Sequence, residues 1–92
     1  MVLASAPPAN AGDYDGFINY LVQNGKPVST PAQVHAAIKV GESACVLLDA
    51  NQSVAGALKD MVDTGMPFAD ARLFLIGAVA YLCPELMSIP PD

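Results

Sequence analysis

Apolar residues recur along this chain at steps of three and four, and the runs are interrupted by Gly, Pro and small polar residues. Phe17, Ile18, Leu21 and Val22 form the first stripe, the spacing of a helix with one buried face. Asp13 or Asp15 supplies its N-cap, with a carboxylate at the positive end of the helix dipole. Asn24-Gly25 ends it at about Gln23, Gly taking the left-handed residue after the last turn, and Pro27 follows where no helix continues. A second helix starts at Thr30-Pro31, a capping hydroxyl followed by a proline whose missing N–H costs nothing at that position. Val34, Ile38, Gly41, Cys45 and Leu48 give it an inward stripe as far as about Asp49. Gly41 lowers helix propensity by about 1 kcal/mol relative to Ala, so its place on that stripe predicts close approach of a neighbouring helix.

Ser53 or Asn51 caps a third helix to about Thr64, with Val54, Leu58, Met61 and Val62 inward. Gly65 stops it. Pro67 then opens a fourth, with Asp70 in its first turn, and from Leu73 to Cys83 no residue is charged. A helix apolar on every side is stable only when surrounded, so this segment is expected at the centre, and Pro84 ends it. No period-two pattern competes. The fold class is all-α, a small bundle of four short helices. Residues 1–12 read as a flexible leader, 13–86 as the helical domain and 87–92 as a C-terminal tail.

A chain of 92 residues buries a smaller fraction of its surface than a large domain does and is expected to need a covalent staple. The N-terminus points to the compartment in which one can form. Ala4-Ser5-Ala6 and Ala9-Asn10-Ala11 both have the small-x-small form of a signal-peptidase site. Pro7 spoils the first, so cleavage after Ala11 is expected, with Val2 and Leu3 the end of an apolar signal region. In an exported chain two cysteines read as one disulfide, Cys45–Cys83. It closes a loop of about 39 residues, which the chain-entropy relation values at about 4 kcal/mol.

Hydrophobic residues make up 53% of the chain and charged ones 14%, with a mean hydropathy of +0.41. That is more apolar material than one thin bundle hides, and a partner surface is expected. Ile18 and Val22 on the first helix, with Leu86 and Ile89 beyond Pro84, are the candidate interaction surface. The alternative is that the tail folds back over the first helix and satisfies both. The net charge is −5, and the four basic residues, Lys26, Lys39, Lys59 and Arg72, are scattered. Nucleic-acid binding and adhesion to anionic lipid are both disfavoured. The longest uncharged apolar run is about eleven residues, short of the ~20 that cross a bilayer.

Chemistry finds little to use. His35 is the only histidine, which excludes paired-histidine metal sites and weakens any Ser-His or Cys-His scheme. It shares a solvated face with Lys39 and Glu42. His35 or one of Tyr14, Tyr20 and Tyr81 could serve haem as an axial ligand, but no Cys-x-x-Cys-His attachment motif exists and the tyrosines suit the edge of a core. Asp13 with Asp15, and Asp60 with Asp63, lack the spacing of a calcium loop. Cys45 is better read as half of a disulfide than as a nucleophile. Asn51-Gln52-Ser53 matches a glycosylation sequon, but a helix-capping turn explains the same residues. Met61, Met66 and Met87 fit core filling or an adaptable groove. No catalytic, cofactor-binding or metal-binding residue is expected, and the chain is expected not to be an enzyme.

The order of signals resembles one known family: Asp15-x-Phe17-x-x-x-Leu21-x-x-x-Gly25, then Ala37-Ile38-x-x-Gly41-x-x-x-Cys45, then Ala78-Val79-x-x-Leu82-Cys83-Pro84. These are similar to the domain of unknown function 732, small helical exported proteins of mycobacteria and related actinobacteria. The resemblance covers about residues 13–86 and implies the fold, a secreted or cell-envelope location and the cysteine pairing. It implies no activity. One departure is the lack of a glycine after the second helix, at Asp49-Ala50-Asn51. The functional expectation is a binding or interaction module with a protein partner or self-association, and the alternative is a carrier of a small ligand or haem. Mass spectrometry of the native protein is expected to find an N-terminus at Gly12, and an intact cytosolic form would contradict export.

Overall fold

The computed structural model describes residues 12–92, and the leader expected over residues 1–12 lies almost wholly outside them. Four α-helices follow in order: α1 (Tyr14–Gln23), α2 (Pro31–Asn51), α3 (Val54–Asp63) and α4 (Phe68–Tyr81), and a 3-10 turn, Pro84–Leu86, follows α4. No strand occurs among the described residues. The helix starts are set by side chains. Asp13 accepts from the Gly16 amide, and Thr30 and Gln33 form a reciprocal capping box around Pro31. Ser53 accepts from the Gly56 amide. The first and third helices run into turns whose glycines, Gly25 and Gly65, have positive φ.

The second turn lacks such a glycine, and the chain meets the same requirement differently. Two residues beyond the expected end, α2 closes on Gln52 in the left-handed region at φ 51°. Its side-chain amide donates to the Asp49 carbonyl at 2.8 Å, which ties down a conformation that costs a residue with a Cβ about 1 kcal/mol or more. The absent glycine is therefore replaced by a strained residue with a local hydrogen bond.

α4 packs against α1, α2, α3 and the 3-10 turn, whereas α1 and α3 do not meet. The helix expected at the centre is central, but it is not surrounded. Phe68 and Ile76 are 58% and 48% exposed, because three short neighbours leave its fourth side open. The inward face of α2 is also rotated from the expected stripe. Ala37, Gly41, Ala44 and Leu48 are buried, while Val34, Ile38 and Cys45 are half-buried at its margin. Small residues face the core there because α1 and α4 come close. On α3, Ala57 and Met61 are buried and Val62, expected inward, is exposed.

The closest approach is at Phe17, whose side chain has no exposed surface. A Cβ on Gly41 would lie 2.6 Å from its ring, and one on Gly77 would lie 3.2 Å from it and 2.5 Å from Tyr20. The ring also packs at 6.2 Å on Phe74. Cys45 and Cys83 form the expected disulfide, with Cα atoms 6.2 Å apart, and it ties α2 to the segment after α4. The expected tail is not free: the Pro90 and Pro91 carbonyls accept from the Val54 and Ala55 amides, the first of α3. Leu86 and Ile89 lie half-buried against the core.

Two outcomes follow from this packing. Reduction of the disulfide is expected to lower the melting temperature by well over ten degrees, since ~4 kcal/mol of loop entropy is large for this size. Calorimetry with and without reductant checks it. Gly41→Ala and Gly77→Ala each gain about 1 kcal/mol of helix propensity but force a methyl into rings that cannot retreat, at about 1–3 kcal/mol of overpacking or more. We expect net destabilisation and a Tm lowered by roughly 5–15 °C, read by thermal melts; a raised Tm would contradict the wedge.

Candidate functional site

The residues singled out in the sequence are scattered. His35 is exposed near the start of α2. Tyr14 donates to Glu42 at 3.0 Å, and that hydrogen bond to a carboxylate raises its phenol above the ordinary value. Tyr20 donates to the Leu73 carbonyl at 3.0 Å, and burial, then the neighbouring Tyr81, raises its phenol. These tyrosines latch α1 onto α2 and α4. Asp13 caps α1. Asp60 accepts from the Asn51 amide and Asp63 from Lys59, whose ammonium is held above its usual range by that contact. Lys26 pairs with Asp70, joining the α1–α2 connection to the first turn of α4. Among the described residues no three His, Cys, Asp or Glu side chains gather around a common point.

The sequon is absorbed into the α2–α3 turn, with Asn51 donating to Leu47 and Asp60 and Ser53 capping α3. The four residues of the expected interaction surface are not one surface. Ile18, Leu86 and Ile89 are half-buried against the core, and only Val22 is exposed, at 49%. The tail went to α3 and α4 because the free amides of α3 and the end of α4 are where Pro84 directs it.

The apolar surplus lies elsewhere, on the outward side of α4 and α3. Phe68, Arg72 and Ile76 follow at steps of four along α4 and are all exposed, a ridge with depressions on both flanks. Between α4 and α3 runs a groove of about 390 Å³, lined by Val54, Leu58, Leu75, Ile76, Val79 and Met87, with Arg72 at its edge. Leu58 and Phe68 carry the lining on to Val62 along α3. On the far flank, Phe68, Arg72 and Ile76 face Tyr20 and Asn24 of α1. Met87 is 67% exposed and forms the end wall. Met61 and Met66, buried and half-buried, line a separate depression between α2 and α3, and Met87 lines the groove between α3 and α4.

Sequence reasoning missed this face because an all-apolar helix was taken as one to be hidden. The available signal was Phe68-x-x-x-Arg72-x-x-x-Ile76, in which a charged residue shares an edge with two large apolar ones. Its charge balance is distinctive. The ion pairs among the described residues are Lys26–Asp70 and Lys59–Asp63, so Arg72 has no carboxylate partner and is the sole charged group on the groove. The groove carries +1 on a chain whose net charge is −5.

Architecture and bridge define a small disulfide-stapled four-helix domain with one open apolar face. The chain belongs to the family described as protein of unknown function (DUF732), whose model matches residues 12–85. No curated protein and no solved structure matches it.

Proposed function

We propose that this protein is an exported, extracytoplasmic binding module and that the outward face of α3 and α4 is its binding surface. The observation that carries the reading is the exposure of Phe68, Ile76 and Met87 on neighbouring depressions that share Leu58, Phe68 and Ile76, since isolated exposed apolar residues need no explanation but a contiguous face does. Export is supported by the Cys45–Cys83 bridge, a bond that persists in oxidising compartments. No helix among the described residues is long and apolar enough to cross a membrane. A binding role is the reading proposed for this face, whose grooves are lined by none of His35, Asp60 and Asp63.

A second reading, a carrier of a small ligand, is favoured by the groove itself, whose volume of about 390 Å³ falls within the range of about 300–1,000 Å³ usual for such sites. For haem the arrangement is poor, because His35 lies on α2 away from this face and Tyr14 and Tyr20 are engaged with Glu42 and Leu73.

The face is tested with Nile red, an uncharged dye that brightens on apolar surfaces. Wild-type protein is expected to bind it and Ile76→Asp to lose most of the signal. The melting temperature of that variant should stay within a few degrees, because Ile76 is already 48% exposed and surface changes are worth about 0.5 kcal/mol or less. Unchanged dye binding in a folded Ile76→Asp would overturn the assignment.

A further inference from the structure

Groove and cation together specify a class of ligand, on the reading that the α3–α4 face is the binding face. We infer that the groove takes a single-chain amphiphile with a carboxylate head, of the fatty-acid class, its head on Arg72 and its alkyl chain running along α4 toward Met87. The lining supplies the first half of the argument. Apart from Arg72 it is Val, Leu, Ile, Ala and Met, with no side chain that offers or needs a hydrogen bond. Such a wall suits a ligand segment with no polar group to satisfy, because any donor or acceptor placed there would lose its water without a replacement. Protein interface cores, by contrast, are enriched in aromatic residues, whereas this groove has none in its own lining and Phe68 lies in the adjoining depressions.

Charge supplies the second half. Arg72 has no ion-pair partner among the described residues, and a guanidinium presents the planar fork that a carboxylate accepts in two parallel hydrogen bonds. A second copy of the chain fits worse. Arg72 lies on the ridge between the two flanking depressions, so a two-fold pairing centred on this ridge sets one Arg72 close to the other, and like charges so placed are unfavourable.

The dimensions agree with one chain. From Arg72 to Ala80 the helix rises about 12 Å at 1.5 Å per residue, and Met87 closes the far end. Its thioether side chain is unbranched and 67% exposed, able to swing with chain length.

The test compares dodecanoate, dodecanol and dodecylamine, each kept monomeric near neutral pH, by calorimetry and by displacement of Nile red from the full chain. Dodecanoate is expected to bind tightest and dodecylamine weakest. Arg72→Gln should weaken dodecanoate about tenfold or more while leaving dodecanol within about twofold, and Arg72→Lys should restore part of the loss. Arg72 is exposed, so both variants should fold, which a melt confirms. Equal binding of acid and alcohol, or an acid affinity indifferent to Arg72→Gln, overturns the proposal and leaves the binding face standing. If Nile red binds but none of the three ligands does, the face serves a protein partner and the proposal falls. A dimer in sedimentation that Ile76→Asp dissolves assigns the face to a second copy and overturns it likewise. Loss of both dye and amphiphile binding defeats the binding face as well.

Discussion

The packing of three helices depends on one ring. Phe17 of α1 is driven completely out of water between α2 and α4, and it fits because Gly41 on α2 and Gly77 on α4 have no side chain where the ring enters. Two helix-interior glycines cost about 1 kcal/mol each in propensity. Burial of a phenylalanine is worth about 1.5–3 kcal/mol, and its contact with Phe74 adds about 0.5–1.5, so the insertion offsets the weakness it requires. The axes can approach only as far as that ring allows. Everything else on α1 follows from the position it fixes: Tyr20 reaches the Leu73 carbonyl, and the Asp13 amide reaches the Tyr81 carbonyl.

Covalent and polar ties close the parts that the ring does not reach. α3 meets neither α1 nor the Phe17 notch and is held by α2, α4 and the tail. The disulfide fixes the chain just beyond α4 to α2, and from there the chain runs seven residues to Pro90, whose carbonyl caps α3. A bridge between Cys45 and Cys83 therefore stabilises α3 as well, although neither cysteine lies in it. This is how so short a chain orders four helices with a core whose largest fully buried side chains are Phe17, Leu21 and Leu48.

Caps, breaks and cysteines were legible because each is a local signal. Thr30-Pro31 and Ser53 begin helices for reasons contained within four residues, and Gly25 and Gly65, with positive φ, end α1 and α3 for reasons contained in one. Gly41 was legible as a close-approach site, but not its visitor, since nothing local says which ring will arrive. The inward face of α2 was misplaced by one edge because Ala37 and Ala44 carry little hydrophobic weight and yet are the residues that small spacing selects. The exposed α3–α4 face was missed for a different reason. Periodicity reports that a side chain is apolar, whereas exposure depends on how many neighbours the helix has, and that is a property of the whole chain.

An apolar groove on a lone domain persists only if its walls cannot collapse into it. α4 forms one wall and is held by Phe17 and Gly77 on its inner side, so it cannot shift toward α3 without opening the tightest contact in the core. The other wall, α3, is pinned at its first turn by the Pro90 and Pro91 carbonyls and by Ser53. Met87 lies between these two anchors, three residues before Pro90 and four after the disulfide at Cys83. The groove is thus held open by the same contacts that hold the fold, and walls fixed in this way spare any occupant of the proposed site the ordering cost that flexible walls impose. Substitutions at Phe17, Gly77 or the bridge therefore change the α3–α4 face without touching it, whereas Ile76 and Arg72 alter what the face presents while the fold stands.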